Sequence, residues 1–190
     1  MKLIIASNNK HKIYEIKKIL GSRFDEILSL SEAGIDHETV EDGETFMENA
    51  TKKATEIAEI SGCAALADDS GICAHALGGA PGVYSARFSG GHGNDIDNNN
   101  LLLKLLRDKE DKTAHYTAAI CLAYPDGRLV TAEGYMYGSI TEDWRGDRGF
   151  GYDPIFVPEG ETRTVAELSD EEKNAISHRG RALMALLEKL

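Results

Sequence analysis

Two adjacent carboxylates, Asp68 and Asp69, stand at the end of the apolar run 64–67 and are followed by Ser70 and Gly71. The run reads as a buried strand. Neighbouring carboxylates repel each other and resist leaving water, so folding alone gives little reason to put them there. A divalent cation supplies one. Mg²⁺ takes hard oxygen ligands, keeps several waters and shares its sphere with substrate phosphates. The competing account is a polar turn, with an Asx-type bond from one aspartate and positive φ at Gly71. Glu41 is a third candidate oxygen ligand, or else a solvated carboxylate near a helix N-terminus.

Basic groups elsewhere answer the acidic pair. Ser7, Asn8, Asn9, Lys10, His11 and Lys12 join a first strand to a first helix, where backbone N–H groups and the helix dipole favour an anion. The bland alternative is an asparagine cap with solvated lysines. No Walker-type phosphate loop occurs in the chain. Lys53 falls at the edge of the buried stripe Phe46, Ala50 and Ile57, beside Asn49. It either lays its stem over apolar surface or reaches a phosphate. Glycines flank Phe150 in the segment Gly149-Phe150-Gly151-Tyr152-Asp153-Pro154. Such a ring can stack on a base with Asp153 reading its edge, or belong to the core beside a pre-proline turn. His178 and Arg179 interrupt a helical run, as a cap and an ion-pair partner or as donors to a keto oxygen or phosphate.

The elements that carry these groups follow from periodicity and punctuation. Strands are expected at 2–6 and 26–30, and helices at 9–20 and 45–61, the second opened by a capping box at Thr45 and Glu48 and closed by Gly62. The strand at 64–67 leads into an acidic turn and a short strand at 72–77. A glycine-rich irregular loop covers 78–93, and a helix at 97–107 turns Leu101, Leu102, Leu105 and Leu106 inward. Strands 117–124 and 129–137 flank Pro125-Asp126-Gly127-Arg128, a hairpin signal. Residues 138–153 read as loop, and 155–157 as a short strand. A second capping box stands at Ser169 and Glu172, ahead of a terminal helix marked by Leu183, Leu186, Leu187 and Leu190. One mixed α/β domain spanning 1–190 is the expectation, with the hairpin as the candidate extension of a second lobe.

The 190 residues suffice for a substantial core. Lys and Arg number 21 against 32 Asp and Glu, a net charge of −11. That balance, without a basic aromatic stripe, argues against a nucleic-acid binder. Cys63, Cys73 and Cys121 form no CxxC pair or zinc spacing and read as reduced core thiols. The apolar start is too short for a signal peptide, and no stretch reaches bilayer length. A cytoplasmic protein with no membrane partner is expected.

Taken together, seven segments resemble the noncanonical purine nucleoside triphosphate pyrophosphatases, the inosine/xanthosine triphosphatases of the Ham1 type. They are Ser7-Asn8-Asn9-Lys10-His11-Lys12, Glu48-Asn49-Ala50 with Lys53, Asp68-Asp69-Ser70-Gly71, Gly78-Gly79-Ala80-Pro81-Gly82, Tyr84-Ser85-Ala86-Arg87, Gly149-Phe150-Gly151-Tyr152-Asp153-Pro154 and Ser177-His178-Arg179. The resemblance implies an elongated, two-lobed α/β fold with a long mixed sheet flanked by helices, a nucleotide cleft between the lobes, and a homodimer. It implies cleavage of ITP, dITP and XTP between the α and β phosphates, with Mg²⁺, to monophosphate and pyrophosphate. By position, Ser7, Asn8, Asn9, Lys10, His11 and Lys12 would line the triphosphate, Lys53 would meet phosphate, and Ser70 would contact substrate. Glu41 and Asp69 would hold the metal, Asp69 also being the candidate base. Phe150, Gly151, Tyr152, Asp153, Lys173, His178 and Arg179 would hold the nucleotide and its base. The sequence leaves the roles of Asp68 and Asp69 undivided. The alternatives are a Maf-like pyrophosphatase of modified nucleotides and a non-catalytic nucleotide-binding regulator.

Overall fold

The computed structural model describes residues 1–91 and 93–190. In chain order the elements are β1 (Lys2–Ile5), α1 (Lys10–Leu20), β2 (Glu26–Ser29), α2 (Phe46–Ser61), β3 (Ala64–Ala74), α3 (Asp95–Leu106), β4 (Thr113–Ala123), β5 (Leu129–Ile140), β6 (Phe156–Pro158), α4 (Asp170–Ile176) and α5 (His178–Leu187). The six strands form a sheet in the order β2-β1-β3-β4-β5-β6. β1 is parallel to β2 and to β3, with Leu3 beside Ala64 and Ile5 beside Leu66, and β6 is antiparallel to β5. The fold is mixed α/β, as the resemblance implied.

The chain divides into two compact units. The first comprises Met1–Asp69, Ala118–Gly134 and Arg179–Leu190, and the second Ser70–Thr117 and Tyr135–His178. In the first unit β1 and β3 are buried on both faces, as parallel strands between helices are. Leu3, Ile5 and Leu66 pack with Ile16 and Leu20 of α1 and Leu183 and Leu186 of α5. Ile4, Ala65 and Ala67 point the other way, onto Ala50, Ala54 and Ile57 of α2. Successive residues of a strand face opposite sides of the sheet, so every residue of β1 from Leu3 on is apolar and buried. In the second unit Ile72, Leu102, Leu106, Tyr116, Met136, Ile155 and Phe156 form the core.

Capping chemistry sets the helix ends. Asn9 Oδ1 accepts from the N–H groups of His11 (3.0 Å) and Lys12 (3.2 Å). The capping boxes at Thr45/Glu48 and Ser169/Glu172 are both formed, and Gly62 closes α2 with φ of 62°.

Several boundaries differ from expectation. Asp68 to Gly71 is not a turn. It lies inside β3, one continuous 11-residue strand, and Gly71 has no positive φ. Gly71 is needed for space: a Cβ there would lie 2.3 Å from Ser85 Oγ and 2.6 Å from the Gly82 carbonyl oxygen. The glycine-rich segment contains a 3₁₀ helix at Gly82–Arg87, while its position 92 lies outside the described residues. β4 begins earlier and β5 ends later than expected, because strand pairing carries both past their apolar cores. On α3, Leu102 and Leu106 are buried but Leu105 is exposed. His178 opens α5 rather than interrupting a helix, and Ser177 is the extended C-cap of α4.

Candidate active site

The alternation of β3 sorts the acidic pair. Asp68 shares the face of Leu66, toward α1 and α5, and Asp69 shares the face of Ala67, toward α2. Asp68 is almost wholly buried. Its Oδ1 lies 2.6 Å from Lys12 Nζ of α1, and its Oδ2 accepts from Arg179 Nε of α5 at 2.8 Å. Arg179 Nη1 donates to Glu15 of α1. Burial opposes the charge on Asp68, but the Arg179 and Lys12 cations hold its carboxyl well below the ordinary carboxylate range. Burial works against the Arg179 charge too, yet Asp68 and Glu15 raise its pKa overall. Burial lowers the Lys12 ammonium, helped by the Arg179 and Lys53 cations.

Asp69 has different surroundings. Asn49 Nδ2 of α2 donates to Asp69 Oδ2 at 3.0 Å, and Asn49 Oδ1 accepts from the Gly43 N–H at 2.8 Å. Lys53 Nζ lies 2.6 Å from Glu41 Oε1, 3.0 Å from the Asp68 carbonyl oxygen and 3.8 Å from Asp69 Oδ1. Burial pushes the Asp69 carboxyl above its ordinary value, against Lys53 and Lys12 and with help from Glu41. One carboxylate of the pair is locked into buried ion pairs. The other is held in orientation with its proton affinity raised, as a general base requires.

The second unit carries a separate cluster. Asp153 is buried and accepts from Tyr116 Oη (3.2 Å), the Phe150 N–H (3.0 Å) and Lys173 Nζ (3.0 Å). Lys173 Nζ also stands 4.6 Å from the centre of the Phe150 ring, a cation–π contact. His178 stacks on Tyr116, ring centres 4.7 Å apart and planes 12° from parallel. Gly151 is clamped by Asp95, which accepts from its N–H at 2.8 Å, and by Asn99 Nδ2, which donates to its carbonyl at 2.8 Å. Gly149 has φ of 76°, and a Cβ there would meet Asp153 Oδ2 at 2.1 Å. Buried Tyr152 donates to the Ser85 carbonyl at 2.7 Å.

The Ham1 family profile matches residues 3–189. The chain belongs to the Ham1 family. Relatives within it include a dITP/XTP pyrophosphatase of Clostridium perfringens strain 13, 48% identical over 100% of this chain and 97% of that protein. A solved HAM1 protein from Coxiella burnetii covers 100% of both chains at 37% identity with a TM-score of 0.91. A nucleoside-triphosphatase/dITP/XTP pyrophosphatase from Mycobacterium abscessus covers 98% of this chain and 99% of its own at 47% identity, with a TM-score of 0.81.

In this Ham1-family chain, Lys12, Lys53, Glu41 and Asp69 gather in the first unit, as do the Ser7 to His11 positions around the start of α1. The Ser7 hydroxyl accepts from the Asn9 N–H at 3.1 Å, and Asn8, Asn9, Lys10 and His11 are exposed. Ser70 is half-buried on β3. Phe150, Gly151, Tyr152, Asp153, Lys173 and His178 gather in the second unit. The Arg179 side chain is 1% exposed and engaged by Asp68 and Glu15. Asp153 and Tyr152 are likewise turned inward, shaping the Phe150 loop. Sequence reasoning did not single out Glu15 or Tyr116, and it named Asn49 as a motif position without a role. Glu15 precedes buried Ile16 on α1, and Asn49 precedes Ala50 on the buried stripe of α2, so a polar residue on an apolar face was the available signal. Tyr116 had none, sitting inside a strand as tyrosine commonly does.

Proposed function

We propose that the chain hydrolyses noncanonical purine nucleoside triphosphates (ITP, dITP and XTP) to the monophosphate and pyrophosphate. The observation that carries this reading is Asp69, a carboxylate of raised pKa between the Asn49 amide and Lys53, in a chain whose full-length relatives are named dITP/XTP pyrophosphatases.

Lys12 and Lys53, with the backbone and side chains of Ser7, Asn8, Asn9, Lys10 and His11, take the triphosphate. Asp69 accepts a proton from water as its oxygen bonds the α-phosphorus and the bond to the bridging oxygen breaks, releasing pyrophosphate. Arg179 and Glu15 act at one remove, by fixing Asp68 and through it Lys12. Glu41 and Asp69 suit Mg²⁺: they are hard oxygen donors that already share one cation, the Lys53 ammonium. Among the described residues no group of three or more His, Cys, Asp or Glu forms a metal site, so water and substrate phosphate would complete the sphere. When bound, Mg²⁺ offsets phosphate charge.

In the second unit, Phe150 offers a ring face to the base, with Gly151, Tyr152, Asp153 and Lys173 fixing its loop, and His178 and backbone N–H groups supply donors. Hypoxanthine and xanthine present a keto oxygen and N1–H where adenine presents an amino group and a bare N1. Donors aimed at the keto oxygen leave adenine mismatched, and such polar mismatches are heavily penalised. A cytoplasmic homodimer belongs to the same reading, carried by the resemblance.

The test is product analysis after incubation with Mg²⁺ and, separately, ITP, XTP, ATP and GTP. IMP and XMP with equimolar pyrophosphate, and little product from ATP or GTP, is the expected result. IDP with orthophosphate would overturn attack at the α-phosphorus, and tight binding without turnover would make the chain a regulator.

A further inference from the structure

Outside the residues of both clusters, the second unit brings two imidazoles together. His75 follows β3 in a short 3₁₀ helix, and His115 lies on β4. His75 Nε2 is 2.9 Å from His115 Nδ1. The other nitrogen of His75, Nδ1, is 2.8 Å from Thr113 Oγ1, and Thr113 Oγ1 donates its only proton to Asp111 Oδ1 at 2.6 Å. With that proton committed, Thr113 Oγ1 can only accept from His75, so the His75 proton sits on Nδ1. The Nε2 lone pair is therefore the one turned toward His115.

The Asp111–Thr113–His75 chain is the support that metal-binding histidines carry: a hydrogen bond at the far nitrogen that fixes tautomer and ring orientation. His115 is restrained from its other sides by Tyr137 and Tyr135, ring centres 5.4 and 6.0 Å away. Two nitrogens at zinc-ligand distance from one ion stand about 2.9–3.4 Å apart for ordinary bond angles. The observed separation already meets the lower end. Imidazole pairs suit zinc, copper and nickel rather than magnesium.

We infer that His75 and His115 form a two-imidazole binding site for a divalent transition-metal cation of the zinc class, separate from the carboxylates of the first unit. His75 ligates through Nε2. His115 moves its proton to Nε2 and ligates through Nδ1, and water fills the remaining positions. His75 is exposed and His115 half-buried, so the cation enters directly from solvent.

The experiment is calorimetric titration of the EDTA-stripped full chain with Zn²⁺ at pH 7.5, in excess Mg²⁺. One saturable Zn²⁺ per chain is expected, weakened at least tenfold in His75→Ala and in His115→Ala. On the wild-type chain, long-range ¹H–¹⁵N spectra should show Zn²⁺-dependent shifts at His75 Nε2 and His115 Nδ1. Full binding in both variants, shifts confined to other imidazoles, or no saturable binding would each overturn the site.

Discussion

Asp68 and Asp69 are chemically identical neighbours with opposite electrostatics, because a strand turns them to opposite faces. The Asp68 pKa is depressed in the fold. Its contribution to stability is therefore complete above the unfolded carboxylate value, about 3.9, and is lost as pH falls below it. Asp68→Asn would leave Arg179 and Lys12 undercompensated in a buried site, a loss of about 3–5 kcal/mol. Urea titrations should show that loss at pH 7, and a stability in Asp68→Asn that declines less than wild type between pH 5 and 3. Asp69 has the reverse sign. With its folded pKa raised, protonation favours the fold, and that contribution disappears as pH rises through the folded value. Asp69→Asn should thus melt no lower than wild type at pH 7 while kcat for ITP falls about 10²–10⁴-fold. Intact turnover in that variant would remove Asp69 from the mechanism.

At the scale of elements, α2 is the device that presents Asn49 and Lys53, and its N-terminus depends on the Thr45 cap. Thr45→Ala should destabilise by about 1 kcal/mol, read as a lower urea midpoint. The Phe150 loop depends instead on glycine. Gly149→Ala places a Cβ against Asp153 at a left-handed backbone position, a strain of about 1–2 kcal/mol. Displacement of Phe150 should raise the KM for ITP roughly tenfold with a smaller change in kcat. Helix ends were readable because caps and closing glycines are local signals, as at Asn9, Thr45, Gly62 and Ser169. The extent of β3 was not, since Asp68 to Gly71 has the composition of a turn and yet lies extended inside β3.

Across the whole molecule, a net charge of −11 means that an anionic substrate is met by a few placed cations rather than by a general field. Of the lysines proposed to meet phosphate, Lys12 and Lys53 each already pair with a carboxylate. No helix among the described residues is long and apolar enough to cross a membrane. The three cysteines are free, and burial pushes the Cys73 and Cys121 thiols upward. Ellman's reagent at pH 7.5 should therefore modify both slowly in the native chain and rapidly in urea. Fast native reaction would contradict their packing.

The sequence by itself determined the main helices, most of their caps, the strand β1, the opening of β3 and the hairpin. Those are properties of local spacing: apolar period, a capping pair, a glycine where the chain must turn. The tertiary structure decided which partner each residue meets. Arg179 is bound to Asp68 and Glu15 because α5 packs on the face of β3 that carries Asp68. Asn49 reaches Asp69 because α2 packs on the other face. Pairing between residues 20 or 111 positions apart is written in no local pattern. It exists only once the strand has assigned its faces and the helices have covered them.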